Sequence, residues 1–276
     1  MKKRYAILLN YHGAPFCGWQ VQPKRPSTKP SIQALIQKSL SEITQHQCSV
    51  VASGRTDSGV HALGQVAHFD LVSKRDWQPE ILRRGLNSKL PLSIRVLACQ
   101  EVDSSFHAIS SAIKKQYSYY FQVGPSPVVS LVPVSRWMHS QLNVEAMNQA
   151  IQSILGEHDF KAFQASGGGA KTTVRRIFEA TVSHAPAFYV GGRLHQDLIS
   201  MIRVRVVGSG FLKQMVRGLV GTLTEIGQEK QPVERIEEIL ATRDRKKVGP
   251  TAPARGLWLE SVTYPDSLLE WKQGLS

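Results

Sequence analysis

The sequence has few of the features that mark secreted, membrane-spanning or cysteine-metal proteins. Only three of its 276 residues are cysteine, and none of them forms a Cys-x-x-Cys pair. This argues against a disulfide framework or a cysteine zinc site and predicts a reducing, cytoplasmic setting. No apolar run is long enough to span a bilayer, and the short one behind the basic N-terminus is too brief for a signal peptide.

Acidic residues are also scarce relative to basic ones. The chain has 34 Lys and Arg against 21 Asp and Glu, which gives a formal net charge of +13. This balance predicts a polyanionic partner, most often nucleic acid, although a merely basic soluble protein has the same composition. The basic clusters lie at 2–4, 24–29, 83–84, 114–115, 171–176 and 243–247. Their spread predicts a folded basic surface rather than a basic tail.

Metal and nucleotide motifs are missing as well. The nine histidines include no His-Glu-x-x-His pair and no Cys/His cluster, so ordinary hydrogen-bonded or surface histidines are expected. The glycine-rich segment 166–172, with Gly167-Gly168-Gly169, departs from the phosphate-binding loop pattern because Ala170 precedes Lys171. The segment is therefore predicted to be a flexible basic loop, and neither a metal nor a nucleotide cofactor is expected.

Helical and strand patterns mix along the chain without a Pro-rich or Ser-rich linker, a short repeat or a low-complexity tract. Ser31 and Asn143 are predicted to cap two helices, the second ending at Gly156; a third is predicted from about Phe211 to Ile226, and a fourth from Pro232. Strands are predicted at 5–11, 65–69, 95–102, 116–123, 177–184, 200–207 and 257–264, with a Gly-Gly hairpin over 188–194.

These elements favour an α+β fold with a largely antiparallel sheet, because hairpins alternate with amphipathic helices. Each half has a capped helix near its start and a Gly/Arg-rich loop after it, and this weak similarity places a division near 104–111. The predicted domains are an N-terminal half, 1–104, and a C-terminal half, 105–276.

The turn Ser53-Gly54-Arg55-Thr56-Asp57-Ser58-Gly59 carries one carboxylate beside one fixed cation. A carboxylate held on a tight turn has a controlled pKa and a controlled direction, as an active site requires. Asp, Ser and Gly also favour turns that have no catalytic role, because they supply local hydrogen bonds and positive φ angles. The turn alone is compatible with both interpretations.

Two further segments offer partners for that carboxylate. In the strand at 115–121, Tyr117 alternates onto one face with Tyr119 and Phe121, which is typical of a core strand and also of an aromatic that stacks on a nucleobase. On the third helix, Lys213 and Arg217 are four residues apart and share a face. That face is either solvated or places Arg217 where it pairs with Asp57.

The run Gly54-Arg55-Thr56-Asp57-Ser58-Gly59-Val60-His61-Ala62 resembles the catalytic motif of the tRNA pseudouridine synthase A family. The resemblance extends over nearly the whole chain in order. It includes Tyr11-His12-Gly13 with Gly18-Trp19-Gln20, Gly64-Gln65-Val66, Phe106-His107-Ala108, Tyr117-Ser118-Tyr119, Asp159-Phe160, Val174-Arg175-Arg176-Ile177, Phe211 with Met215-Val216-Arg217, and Ala252 with Gly256-Leu257-Trp258-Leu259.

The resemblance implies two ferredoxin-like, RRM-like halves that share a largely antiparallel sheet, with flanking helices and a central basic cleft. It also implies a homodimer that acts on tRNA and isomerises uridine to pseudouridine at positions 38, 39 and 40 of the anticodon stem-loop, without a cofactor.

The resemblance also implies roles for five residues. Asp57 is expected to be the catalytic carboxylate, aimed by Arg217 or Arg55. Tyr117 is expected to stack under the flipped uracil and to assist loss of the C5 proton, and Leu257 to line the base site. Arg55, or another basic side chain, is expected to fill the vacancy that the flipped base leaves in the stem.

The sequence departs from the family pattern at three places. His12 stands where an acid is expected, Ser58 where Ala is commoner, and the Gly167-Gly168-Gly169 loop is unusual. These departures concern RNA contacts more than chemistry.

Two other functions fit a basic chain. A non-catalytic tRNA-binding protein or RNA chaperone has the same charge but no need of Asp57, Tyr117 and Arg217 together. A nuclease requires a carboxylate cluster or a histidine pair, and the sequence shows neither motif.

Overall fold

The computed structural model describes residues 1–21, 27–186 and 199–271. Within these ranges it contains ten strands and five α-helices, and the strands belong to one mixed, mostly antiparallel sheet. The strands are β1 (Lys2–Tyr11), β2 (Val50–Ala52), β3 (His61–Val72), β4 (Ile94–Val102), β5 (Lys114–Val123), β6 (Arg136–Met138), β7 (Gly156–Asp159), β8 (Val174–Ala185), β9 (Ser200–Gly208) and β10 (Leu257–Thr263). The helices are α1 (Ile32–Thr44), α2 (Pro79–Lys89), α3 (Val144–Ile151), α4 (Met215–Gly227) and α5 (Arg235–Thr242). The predicted α+β class is confirmed.

The chain divides into two compact units, one of residues 1–115 and 259–276 and the other of residues 116–258. The first unit contains the neighbouring strands β4, β1 and β3, with β2 added to β3. Ala6 of β1 lies opposite His68 of β3 and Gln100 of β4, and both pairings are antiparallel. The C-terminal segment belongs to this unit, because the Tyr264 hydroxyl donates a 2.7 Å hydrogen bond to the carbonyl of Ala108.

The second unit contains β5, β9, β8 and β7 in that order, with β6 parallel to β5. Val182 of β8 faces Val204 of β9 in an antiparallel ladder. Helices α3 and α4 are packed closely enough that a side chain at Gly227 would meet the Met147 sulfur at 2.5 Å. The core of this unit is therefore built from the apolar faces of its strands and of α3 and α4.

The predicted helix caps are confirmed, because the side chains of Ser31 and Asn143 accept hydrogen bonds from the amides of Ala34 and Ala146. Three helix limits were predicted wrongly. Helix α4 begins at Met215 and not near Phe211, since Gln214 adopts a left-handed conformation with φ of 59° that a continuous helix does not contain.

Helix α3 ends at Ile151 and not at Gly156. It passes into a 3₁₀ turn, Gln152–Ile154, and Gly156, with φ of 90°, begins β7. Helix α5 begins at Arg235, three residues after the predicted Pro232.

Three other expectations concern the hairpin, the domain division and membrane-spanning segments. The hairpin predicted over 188–194 lies outside the described residues. The predicted domain division after residue 104 stays a prediction beside the two units described above. No helix in the described ranges is long and apolar enough to cross a membrane.

Candidate active site

Asp57 lies in the loop that connects β2 to β3 in the first unit. Its side chain is half-exposed, Arg55 is exposed, and Thr56 between them is buried. The amide of Val60 donates to the Asp57 carbonyl at 3.1 Å, and Gly59, with φ of 80°, completes the turn. The turn thus fixes the Asp57 backbone, and the residue is not fully enclosed.

A buried glutamine joins both sides of this loop to the sheet. Gln65 of β3 is fully buried; its amide oxygen accepts from the Ser53 hydroxyl at 2.6 Å, and its amide nitrogen donates to the Gly54 carbonyl at 2.8 Å. The Tyr11 hydroxyl lies 2.8 Å from the Thr56 hydroxyl and 3.4 Å from the Gln65 amide nitrogen. Burial raises the pKa of Tyr11 to about 12, so its hydroxyl keeps its proton and can donate at neutral pH.

Two glycines of the segment after β1 allow this segment to lie directly against the Asp57 loop. A Cβ atom at Gly13 would stand 2.0 Å from the Val60 carbonyl oxygen. Gly18 has φ of 108°, and a Cβ atom there would stand 2.8 Å from the Thr56 carbonyl oxygen. The amide of Trp19 donates to that same carbonyl at 3.0 Å. Backbone therefore packs on backbone, and only glycine permits it at these positions.

Two histidines lie beside the end of this loop. The rings of His12 and His61 are 4.6 Å apart, and the Nδ1 atom of His61 accepts from the Gly13 amide at 3.0 Å. Burial lowers the pKa of His12, which favours its neutral form. The two rings thus pack against each other beside the loop.

Tyr117 lies on β5 in the second unit, where it is 8% exposed. Its ring is nearly perpendicular to the Phe211 ring, with 5.1 Å between ring centroids. The rings of Tyr119 and Phe121 are 4.9 Å apart, as expected for residues that alternate onto one face. The aromatic strand is thus largely buried, and Phe211 packs against Tyr117.

Arg217 lies in the first turn of α4 and is bound to the segment that precedes β10. Its Nε atom donates to the Ala252 carbonyl at 2.7 Å, and the Ala252 amide donates to the Arg217 carbonyl at 3.0 Å. One turn later, a Cβ atom at Gly221 would stand 1.8 Å from the Pro250 carbonyl oxygen. The helix and the segment are therefore in backbone contact, and the guanidinium stem of Arg217 is held in one direction.

Leu257 begins β10 and is 5% exposed. The residues just before it are fixed by Tyr119, whose hydroxyl donates to the Pro253 carbonyl at 3.0 Å. A Cβ atom at Gly256 would stand 2.5 Å from the Tyr119 ring. Burial raises the pKa of Tyr119, so this donor stays protonated.

The residues predicted from the sequence therefore fall into two groups. Asp57 and Arg55 belong to the first unit, and Tyr117, Arg217 and Leu257 belong to the second. The sequence analysis assigned no role to the groups that hold these residues in place, namely Gln65, Tyr11, Phe211, Tyr119 and the carbonyl of Ala252. The sequence does contain a signal for the role of Gln65, because a polar amide inside the apolar run of β3 requires buried hydrogen-bond partners.

The described ranges contain no group of three or more His, Cys, Asp and Glu side chains that could hold a metal ion. The candidate residues are thus one carboxylate and one arginine in the first unit, and one tyrosine, one arginine and one leucine in the second.

Comparisons with known proteins show which family the chain belongs to. A family model described as tRNA pseudouridine synthase matches residues 7–109 and 150–265. The tRNA pseudouridine synthase A of Methylobacillus flagellatus is 40% identical over 261 residues, which cover 95% of this chain and 93% of the relative. The proteins of the same name from Maridesulfovibrio salexigens and Aeromonas hydrophila are 40% and 39% identical, over 96% of this chain and 92% and 91% of the relatives.

The matched residues include the Asp57 loop, the segment around Gly13 and Gly18, and the first turn of α4. Because the family model matches well over half of the sequence and the relatives align along nearly all of it, the chain belongs to the tRNA pseudouridine synthase family, whose members are isomerases.

Proposed function

We propose that this protein isomerises uridine to pseudouridine at positions 38, 39 and 40 of the tRNA anticodon stem-loop, with Asp57 as the catalytic carboxylate. The observation that carries this proposal is the construction of the Asp57 loop. Gln65, Tyr11 and the segment around Gly13 and Gly18 hold the loop backbone in place, while Asp57 as a residue is half-exposed. A carboxylate fixed in direction and accessible to substrate is what attack at a sugar carbon requires.

The reaction is an isomerisation and balances without a co-reactant. The bond between N1 of uracil and C1′ of ribose breaks, the base turns over, and a bond between C5 and C1′ forms. The proton on C5 is lost and N1 gains one. Asp57 acts either by adding to C1′ or by taking a sugar proton to give a glycal-like intermediate. Both routes need a single carboxylate, unlike glycoside hydrolysis, which usually needs two.

The other proposed residues act on the base and on the charge at the reacting centre. A uridine paired in a stem must leave the stack before the enzyme can reach it, which costs a few kcal/mol. Tyr117 would stack on the extruded uracil and assist removal of the C5 proton, and Leu257 would contact its apolar face. Arg217 would supply the cation that keeps the catalytic carboxylate ionised, and Arg55, exposed on the loop, would occupy the place that the base leaves.

The proposed partners are tRNA and a second copy of the chain. The net charge of +13 supports the first, because a phosphate backbone attracts a basic surface. The homodimer, like the cytoplasmic setting, is a prediction from the sequence, and sedimentation of the protein with and without tRNA would measure its assembly state.

The substitution Asp57→Asn tests the proposal, since it keeps the size of the side chain and removes its charge. We expect pseudouridine formation in an unmodified tRNA transcript, without added metal or nucleotide, to fall by at least about 10³-fold while tRNA affinity persists. Asp76→Asn is the matched control, because Asp76 is an acid of the same unit that pairs with Lys3. Full activity of the Asp57 variant would contradict the assigned role. A wild-type protein that binds tRNA and forms no pseudouridine would contradict the proposed activity itself.

A further inference from the structure

A basic surface of the second unit surrounds the loop between Phe163 and β8. It consists of the exposed or half-exposed side chains of Lys171, Arg175, Lys213, Arg245 and Lys246, and it is called the loop surface below. Its members come from three separate segments of the sequence, which the fold brings to one place.

Lys213 and Arg245, from two different segments of the sequence, both hydrogen-bond to the backbone of this loop. The Lys213 ammonium donates to the Ser166 carbonyl at 2.9 Å, and the Lys213 carbonyl accepts from the Ala165 amide at 3.0 Å. Arg245 donates from one guanidinium nitrogen to the carbonyls of Ala162 and Gln164, both at 3.1 Å. Hydrogen bonds from both cations therefore connect the loop backbone to the segments that carry them, and the predicted flexibility of the loop stays a prediction.

The side chains of Lys213 and Arg245 donate their hydrogen bonds to neutral backbone carbonyls, so no negative charge neutralises them. Arg175 likewise donates to the backbone carbonyls of Thr172 and Val174. Within the described ranges, no carboxylate lies within ion-pair distance of any cation of the loop surface. In the first unit, by contrast, Arg4 pairs with Asp70 and Arg84 pairs with Glu80. A hydrogen bond to a carbonyl orients a cation but leaves its field available to an external anion.

The tip of the loop adds backbone donors to this positive surface. The amides of Gly168 and Gly169 have no acceptor in the part of the chain that the structure describes. Gly167, with φ of 72°, turns the backbone, and no heavy atom lies within 4 Å of the position that a Cβ atom at Gly169 would occupy. Successive backbone amides in such a turn attract anionic oxygens.

The loop surface lies close to the residues of this unit that act on the substrate in the proposed function. Lys213 is two residues after Phe211, whose ring contacts Tyr117, and four residues before Arg217. Each nucleotide of an RNA strand is joined to the next by a phosphate, so a strand with one nucleotide at Tyr117 carries anionic groups on both sides of it.

We propose that the loop surface binds the phosphates of the RNA strand that flanks the reacting nucleotide, and so positions the strand for the reaction. This inference rests on the proposed function. An extended polyanion fits better than a single phosphate ion, because the cations are spread over three segments and do not converge on one enclosed point. Lys171, Lys213 and Lys246 are positioning residues in this proposal and do not touch the reacting atoms.

The triple variant Lys171→Gln, Lys213→Gln and Lys246→Gln tests the inference by fluorescence anisotropy with a labelled anticodon stem-loop RNA over a series of salt concentrations. Each phosphate contact that is lost should reduce the slope of log affinity against log salt by about 1. We expect the triple variant to lose roughly two to three units of slope, to raise KM at least about tenfold and to keep kcat near the wild-type value. The variant Lys213→Arg should restore most of the affinity when it replaces Lys213→Gln.

A matched control removes the same charge from the first unit, through Lys38→Gln, Lys74→Gln and Arg84→Gln, all exposed residues. A second pair of variants, Gly169→Asp and Gly169→Ser, separates charge from shape, because a side chain at this position meets no protein atom. The Asp variant should bind RNA markedly more weakly and the Ser variant should bind it like the wild type.

Equal affinity and salt slope for the triple variant and the wild type would overturn the inference. So would an equal loss in the control with three substitutions in the first unit, since the effect would then come from net charge alone. Binding is measured without turnover, so these outcomes are separate from the failure of the proposed function, which would appear as a wild-type protein that forms no pseudouridine.

Discussion

Arg217 and Ala252 hydrogen-bond to each other in both directions. The Arg217 Nε atom donates to the Ala252 carbonyl at 2.7 Å, and the Ala252 amide donates to the Arg217 carbonyl at 3.0 Å. The first turn of α4 is thereby fastened to the segment that leads into Leu257. Two residues that the proposal places at the base and at the carboxylate are thus fixed by a common backbone contact within one unit.

The substitution Arg217→Lys separates the charge of this residue from its geometry. Lysine keeps the positive charge but lacks the Nε donor and the planar fork that fix the side chain to Ala252. We expect a loss of roughly 0.5–1.5 kcal/mol in the free energy of unfolding, together with a fall in kcat. Denaturant unfolding and the rate of pseudouridine formation measure the two effects. The control Arg84→Lys, on the exposed face of α2, should change neither the free energy of unfolding nor kcat. A wild-type kcat in Arg217→Lys would contradict the prediction, because the positive charge alone would then be enough for activity.

Much of the fold was predictable because the strands and the capped helices carry local signals. Seven of the strands were predicted from the sequence, and Ser31 and Asn143 were identified as caps from residue type and position. The start of α4 was not predictable in this way. Phe211 continues the apolar stripe of the helix, and only the left-handed conformation of Gln214 separates the two. Helix α2 was missed because only Leu82 and Leu86 of its eleven residues are buried, which leaves a weak apolar periodicity.

In the candidate site, the Asp57 turn could be predicted from local sequence, whereas the residues that hold it could not. The Asp57 turn was visible as a run of turn residues around one carboxylate. The groups that fix it were not, because the Tyr11–Thr56 and Gln65–Gly54 hydrogen bonds connect segments that hydrophobic periodicity does not relate. The same is true of the loop surface, where cations far apart in the sequence converge on carbonyls that carry no sequence signal.

The Tyr11 hydroxyl is predicted to support activity through the Asp57 loop. In Tyr11→Phe the Thr56 hydroxyl loses its buried partner, which should cost about 1–3 kcal/mol of stability and should lower kcat more than it changes KM. Tyr5→Phe is the matched control, because the Tyr5 hydroxyl makes a buried 2.8 Å hydrogen bond to the Trp77 carbonyl in the same unit. The control should lose comparable stability and keep its kcat. Equal kcat losses in the two variants would contradict a specific role for the Tyr11 contact.

Gly13 is predicted to tolerate no side chain. The Cβ atom of Gly13→Ala would stand 2.0 Å from the Val60 carbonyl oxygen, and neither backbone segment can move without displacing the Asp57 loop. We expect destabilisation of at least about 1–3 kcal/mol and a large loss of activity. Gly169→Ala, where the added carbon meets nothing within 4 Å, should stay within about 0.5 kcal/mol of the wild type. Thermal unfolding of the two variants side by side measures the difference. Equal unfolding temperatures would contradict the prediction, because the Gly13 site would then be less rigid than its contacts indicate.

His68 is predicted to make the stability of the first unit depend on pH. Burial, reinforced by His107 and Arg4, lowers its pKa from 6.5 to about 4, and its Nδ1 atom accepts a 3.2 Å hydrogen bond from the Ala108 amide. Between these two values the unfolded chain binds a proton at this residue and the folded chain does not. The free energy of unfolding should therefore fall as pH decreases from 6.5 to 4, by up to about 3 kcal/mol, and this contribution should be fully recovered above pH 6.5.

The variant His68→Gln isolates this contribution, because glutamine offers an acceptor for the Ala108 amide and does not titrate. Urea unfolding of both proteins at pH 4.5, 5.5 and 7 should give a steeper loss of stability for the wild type. Asp70 titrates too low to imitate this effect, since its hydrogen bond to Arg4 lowers its pKa to about 2. Parallel pH profiles for the two proteins would mean that His68 protonates in the folded chain as readily as in the unfolded one. In that case its burial beneath the Phe106 and His107 rings would not exclude the charged form.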